Sequence, residues 1–247
     1  MITLLNCGLF SLGKSPIRDN QDSVISPKIA NNGYVMAVAD GLGAYEGAKE
    51  AAQISTNYLS NFIFNGSELD VGMVLFSIKK EISKLSESNP RFRRAATTLT
   101  FCYLHEDSLH IGHVGDTRIY IRKGKKLIQL SIDHTQHQEL INEGVFTKKE
   151  LEGMGGKNTL TSALSEVVQL TYQELHLSLS DLVDDEEGVL DIYIMSDGAH
   201  HFWEKRPRFS DNTLRNPVRF ASSLQKRIEK ATPIDDYSLV AASFKIS

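Results

Sequence analysis

The chain has 247 residues, 41% of them hydrophobic and 23% charged, with a formal net charge of -4. That length supports one large core, and the acidic balance excludes the broad basic footprint that nucleic-acid binding requires. Two cysteines, Cys7 and Cys102, neither build a disulfide framework nor match a zinc-ligand spacing, which points to a reducing compartment.

Met1 to Phe10 is apolar, but it has no basic segment before it and no small-residue cleavage site after it. It reads as a strand over Ile2 to Ser11 rather than as a signal peptide. No stretch approaches the roughly 20 apolar residues that span a bilayer. The sequence therefore predicts a soluble, cytoplasmic protein with no membrane and no nucleic-acid partner. A Gly-Lys-Ser-Pro turn leads into the polar segment Arg18-Asp19-Asn20-Gln21-Asp22. The continuous apolar run Tyr34 to Ala39 suits a strand buried on both faces, and it stops at Asp40-Gly41. Helical spacing follows over Ala48 to about Phe62, then through Val71, Val74, Leu75, Ile78, Ile82 and Leu85.

From Thr97 the texture is β. The runs Thr97 to Leu104, Ser108 to Val114, Arg118 to Arg122 and Lys126 to Leu130, with polar turns between several of them, predict an antiparallel meander. Residues 133–165 are polar and contain four glycines and a short helical stretch, Gln136 to Asn142. They read as a mobile flap over a site. Strands over Val167 to Leu177 and Val189 to Met195 flank an acidic loop, Asp181 to Glu187. A helix capped by Asn216, with Pro217 at its first position, turns Val218, Ala221, Leu224 and Ile228 inward, and Tyr237 to Ile246 closes the chain as a strand. With six scattered prolines and no repeat or linker, this predicts one domain over 1–247, built of packed antiparallel sheets with helices outside.

Four aspartates stand at ends of apolar strands: Asp40, Asp116, Asp197 and Asp235. A carboxylate there is costly to desolvate unless a cation compensates it. One Asp-Gly is most simply a turn, but four such acids point to hard divalent ions, Mn²⁺ or Mg²⁺, held by oxygen ligands. The Gly41 carbonyl can approach such an ion closely. A glycine-rich phosphate cradle over Asp40-Gly41-Leu42-Gly43 ranks lower, because it lacks a Walker lysine and its acid repels phosphate.

The ordered motifs resemble those of PP2C-type (PPM) protein phosphatases. Asn20-Gln21-Asp22-Ser23 is similar to the family's Asn-Glu/Gln-Asp motif, and VADGLGAYEGAKEAA (38–52) to its Asp-Gly-x-Gly-Gly block. Ala96-Thr97-Thr98-Leu99 resembles the Gly-Thr-Thr strand, and IGHVGDTRIY (111–120) resembles Gly-x-Val-Gly-Asp-Ser-Arg-x-Tyr. QLSIDHT (129–135) and NTLTSAL (158–164) resemble the two ends of the flap. MSDGAHHF (195–202) carries Ser-Asp-Gly, and DDYSLVAASF (235–244) resembles the last strand. The resemblance implies an α+β fold: a central β-sandwich of two antiparallel sheets flanked by helix pairs, with metals at one end. It implies that Asp40 bridges two metals, that Gly41 offers its carbonyl, and that Asp197 and Asp235 complete the first metal. Asp22 would act through metal-bound waters, and Asp116 would help hold a third, weaker ion.

The expected activity is hydrolysis of phosphoserine or phosphothreonine in proteins by direct attack of a metal-bridging water, with no cysteine nucleophile. The partners would be phosphorylated proteins, including a serine/threonine kinase or its targets. The alternatives are a catalytically degenerate binding module and a hydrolase of another phosphate ester.

Departures from the family pattern are local. Ile17 occupies the position of the phosphate-binding arginine, so that Arg18, one residue later, is the clamp this sequence offers. The competing reading of Arg18 is a surface arginine paired with Asp19. Leu42 replaces a histidine often proposed as general acid, and Ala44 replaces a glycine. His201 stands where the family supplies a further aspartate to the third metal. That leaves the third site open, since histidine is a better ligand for Mn²⁺ than for Mg²⁺.

Overall fold

The computed structural model describes residues 1–43, 45–64, 69–183 and 188–247. Ala44 and the last four residues of the acidic loop, 184–187, lie outside the described residues. Alternating and continuous apolar runs give the described residues twelve strands, which sort into two five-stranded antiparallel sheets and one two-stranded pair.

In chain order the strands are β1 (Ile2–Leu12), β2 (Ser23–Ala30), β3 (Gly33–Ala39), β4 (Ala96–Thr97), β5 (Leu99–His105) and β6 (Ser108–Val114), followed by β7 (Arg118–Lys123), β8 (Lys126–Gln129), β9 (Leu164–Ser165), β10 (Gln173–Ser178), β11 (Val189–Met195) and β12 (Tyr237–Ile246). The helices are α1 (Ala48–Asn61), α2 (Val71–Ser83), α3 (Leu85–Ser88), α4 (Gln136–Asn142), α5 (Leu179–Leu182), α6 (Asp197–Glu204), α7 (Asp211–Leu214) and α8 (Pro217–Ala231).

One sheet runs β1-β12-β11-β7-β8 and the other β10-β6-β5-β3-β2. Between them Met36, Val38, Ile111, Ile119, Ile192 and Val240 interdigitate. Outside the second sheet α1 and α2 bring Ala51, Leu59, Leu75 and Ile78 onto Phe101 and Tyr103. Outside the first, α6 and α8 bring Phe202, Phe220, Leu224 and Ile228 onto Tyr193 and Leu239. Central strands covered on both faces have no solvent side to present, which is why β3 reads as an unbroken apolar run and why β5, β6 and Tyr237–Phe244 of β12 are buried throughout, their few polar residues included. The expected α-β-β-α sandwich is therefore the observed fold.

Several expectations are corrected. The meander is two hairpins in different sheets: β5 pairs with β6, and β7 with β8. The chain crosses between sheets at Gly115, whose φ of 99° turns it where no β-carbon would be tolerated comfortably. The run from Thr97 breaks at Thr98, whose amide donates to the Asp40 carbonyl (2.9 Å). The strand expected from Val167 begins only at Gln173. Upstream of it, the Thr171 amide donates to the Ser162 hydroxyl (3.0 Å) in place of a strand partner. β2 escaped the pattern because a register shift between Ile25 and Lys28, around Pro27, disrupts its alternation. On α8, Val218 is 51% exposed, and Phe220 takes the inward place expected of it. Asn216 does cap that helix, accepting from the Arg219 amide. Among the described residues no helix is long and apolar enough to cross a membrane.

Candidate metal centre

Register places the acids at one end of the sandwich. Ser23 pairs with Ala39, so Asp22 and Asp40 emerge side by side. Leu99 pairs with Val114, which sets the Asp116 corner beside Thr98. Met195 pairs with both Arg118 and Leu239, which brings Asp197 and the segment before β12 to the same edge.

The electrostatics agree with this convergence. Burial raises the Asp40 carboxyl well above the usual range, and the charges of Asp22, Asp197, Asp116 and Asp235 raise it further. Asp116 is likewise raised by burial and then by Asp197 and Asp133. Asp197 is pushed up to about 6 by burial and by Asp235, while a hydrogen bond with Asp40 pulls the other way. Burial pushes Asp22 up to about 7, partly offset by the hydroxyls of Ser238 and Ser196. Neither hydroxyl forms a hydrogen bond with Asp22, and both its buried carboxylate oxygens lack a partner. All five predicted acids thus lie in one another's fields.

Gly41 is locked beneath Asp40. A β-carbon there would come within 2.7 Å of the carbonyls of Ala48 and Gln21, so the position admits only glycine. The Asp40 carbonyl accepts from the Thr97 hydroxyl (2.9 Å), and its amide donates to the Thr98 hydroxyl (3.2 Å).

Arg18 turns into this end rather than toward Asp19, which pairs with Lys49 at 3.1 Å. Its guanidinium donates to the Gln21 side chain (2.8 Å), lies 3.5 Å from the Asp235 carboxylate, and packs over Gly43.

Three residues that sequence reasoning passed over belong to the site. Asp236, 4% exposed at its side chain, accepts from the Lys14 and Gln21 amides (2.8 and 2.9 Å) and so shapes the loop that carries Arg18. His200, not His201, meets Asp116: its Nε2 lies 3.1 Å from the Asp116 carbonyl, while its buried Nδ1 has no partner. His201 sits edge-on to Phe202. Arg118 makes a bidentate pair with Asp133 at the flap entrance (2.8 and 2.6 Å). The segment over 133–165 is tied at both ends, where the His134 amide donates to the Gly115 carbonyl (2.8 Å) and the Thr161 amide to the His134 carbonyl (2.9 Å).

Among the described residues, no three His, Cys, Asp or Glu side chains stand arranged to hold an ion by themselves. Hard divalent ions keep several waters and accept backbone carbonyls, so such an ion does not require three side-chain ligands at once. The all-oxygen donor set, the partnerless Asp22 oxygens and the raised carboxyls fit such an ion.

An α-β-β-α sandwich with an acidic centre at one end of its sheets defines the class of protein this chain represents. The family model described as Protein phosphatase 2C matches residues 15–241, and the chain belongs to that family. The serine/threonine phosphatase stp of Listeria monocytogenes is 28% identical over 142 residues, 54% of this chain and 56% of that protein. The chain thus spans about half the length of this curated relative. A putative protein phosphatase of Mycoplasma genitalium is 24% identical over 89% of this chain and 88% of its own. The catalytic domain of the phosphatase PstP, solved with two manganese ions, superposes with a TM-score of 0.76 over 100% of both chains at 20% identity.

Proposed function

We propose that this chain is a divalent-metal-dependent phosphoprotein phosphatase acting on phosphoserine and phosphothreonine as one domain, with residues 133–165 as its flap and the cytoplasm as its compartment. The observation that carries the reading is the convergence of Asp22, Asp40, Asp116, Asp197 and Asp235 beside the Arg18 guanidinium.

In this reading Asp40, the Gly41 carbonyl, Asp197 and Asp235 would hold two ions, Mn²⁺ or Mg²⁺, and Asp22 would act through their bound waters. Divalent cations bound there supply an activated water and neutralise phosphoryl charge. Arg18 presents a planar fork of donors that matches a phosphoryl dianion. Its ion pair with Asp235 is half open to solvent, so substrate can take its place. Asp133 holds the neighbouring Arg118 in a bidentate pair, which keeps a second guanidinium fixed near Asp116 and Asp197 without consuming their charge. Cys7 is exposed and Cys102 is buried. Burial pushes the Cys102 thiol up to about 12, which leaves it no thiolate for nucleophilic attack.

The test is turnover of a phosphothreonine peptide and p-nitrophenyl phosphate with Mn²⁺ and with Mg²⁺. Asp40→Asn should abolish turnover, and Arg18→Ala should chiefly raise KM. Folded protein with no turnover on either metal refutes the enzyme, and a nucleotide hydrolysed faster than the peptide reassigns the substrate.

A further inference from the structure

The loop after α6 and the C-terminal half of α8 border an open, shallow pocket of about 560 Å³ lined by residues that include Arg206, Arg208, Phe209, Lys226, Arg227 and Lys230. In a chain with 27 basic and 31 acidic residues, five cations gather here and no lining residue is acidic. Only Arg227 has a structural task. It donates to the carbonyls of Arg206 (2.7 Å) and Arg208 (3.0 Å) and lies over the Phe209 ring at 4.0 Å. Burial, and then the nearby Arg206, lower its pKa. Arg206, Arg208, Lys226 and Lys230 are exposed, and among the described residues none of them forms an ion pair with a carboxylate.

Both walls lead to the metal centre. α6 starts at Asp197 and ends at Glu204, eight residues or about 12 Å away along its axis. α8 runs out through Thr232 into Asp235. A peptide whose phosphoryl group sits at the centre therefore needs at least about four extended residues to reach the pocket.

We infer that this pocket is a docking site for a second phosphorylated residue on the substrate, at least about four residues along the chain from the one being hydrolysed. Arginine clusters recognise phosphorylated motifs through charge-assisted, forked hydrogen bonds. Five cations gathered at one spot of a chain with net charge -4 suit one compact dianion on a flexible chain better than a duplex or a bilayer surface, each of which needs a broad basic face. Arg227 already covers the Phe209 ring, so no open aromatic face is left for base stacking. The inference rests on the phosphatase reading in that the docked peptide is the substrate.

The test uses the Mn²⁺-loaded full chain and the variant Arg208→Ala/Lys226→Ala/Lys230→Ala, which spares Arg227. Three exposed ion pairs together are worth roughly tenfold in affinity. KM for a doubly phosphorylated peptide should rise about that much in the variant, while KM for the singly phosphorylated peptide and for p-nitrophenyl phosphate should stay within about twofold. Equal changes on all three substrates, or none, overturn the docking site. Absence of turnover in the wild type would overturn the phosphatase reading alone. Docking is then read by fluorescence anisotropy of the labelled doubly phosphorylated peptide on metal-free protein: weaker binding by the variant upholds it, and equal binding overturns it. An oligonucleotide that displaces the peptide equally well at matched charge also overturns it.

Discussion

Replacing Asp22 with asparagine should make the metal-free protein more stable. Asp22 is 8% exposed, both its oxygens lack partners, and burial raises its carboxyl from 3.8 to about 7. The native state therefore holds this proton where the unfolded chain has released it. With more protons bound in the native state, stability falls as pH rises between 3.8 and about 7, and the contribution is fully present only below 3.8. At pH 7.5 that loss amounts to about 4 kcal/mol. The substitution removes it but leaves a buried amide with imperfect partners, at about 1–3 kcal/mol. The net gain is about 1–3 kcal/mol, or about 2–12 °C in Tm for a domain of this size.

The assay is thermal unfolding of wild type and Asp22→Asn in chelator from pH 5 to 7.5, repeated with Mn²⁺. His113, which burial lowers to about 3, titrates in the opposite sense, and so does His200. Only the difference between the two proteins isolates Asp22, and that difference should grow with pH. Mn²⁺ should raise the wild-type Tm more than that of the variant, reversing the order of the two. A metal-free Asp22→Asn variant that is less stable than wild type at pH 7.5, or a difference that shrinks as pH rises, would refute the argument that uncompensated carboxylate charge strains this site.

Two further outcomes follow from packing. A β-carbon on Gly198 would overlap the Asp236 carbonyl, so Gly198→Ala should cost about 1–3 kcal/mol and weaken Mn²⁺ binding by displacing Asp197 from Asp235, measurable by denaturation and metal titration. Remote from the centre, Arg122 and Asp191 form an ion pair with both side chains 1% exposed, and Ser243 donates to the same carboxylate. Asp191→Leu should cost about 3–5 kcal/mol in urea unfolding, and adding Arg122→Met should recover most of it, because the penalty is the stranded charge.

The acidic centre was legible because a carboxylate at the end of a buried strand has few explanations, and Asp40, Asp116, Asp197 and Asp235 each stood in that position. The sheet assignment was less legible. A polar turn between two β runs marks a reversal but not which sheet receives the next strand, and Gly115 makes that choice with a positive φ. The order of His200 and His201 was equally hidden, since successive helix residues point about 100° apart and only packing says which one meets Asp116.

Asp235 and Asp236 divide the work in a way no motif spells out. Asp235 stays half open beside Arg18, whereas the buried Asp236, itself 3.9 Å from the Arg18 guanidinium, accepts from the amides of Lys14 and Gln21, 222 and 215 residues earlier in the chain. Those two bonds fold the loop over 14–21 against the start of β12. They therefore set where Arg18 points, even though the arginine sits one place away from the family's position. A one-residue shift would turn a strand side chain to the opposite face, but a loop tied at both ends to a buried carboxylate is not bound by that alternation. The departure at Ile17, which is 97% exposed, is absorbed by the loop, and the guanidinium still arrives at the acidic end.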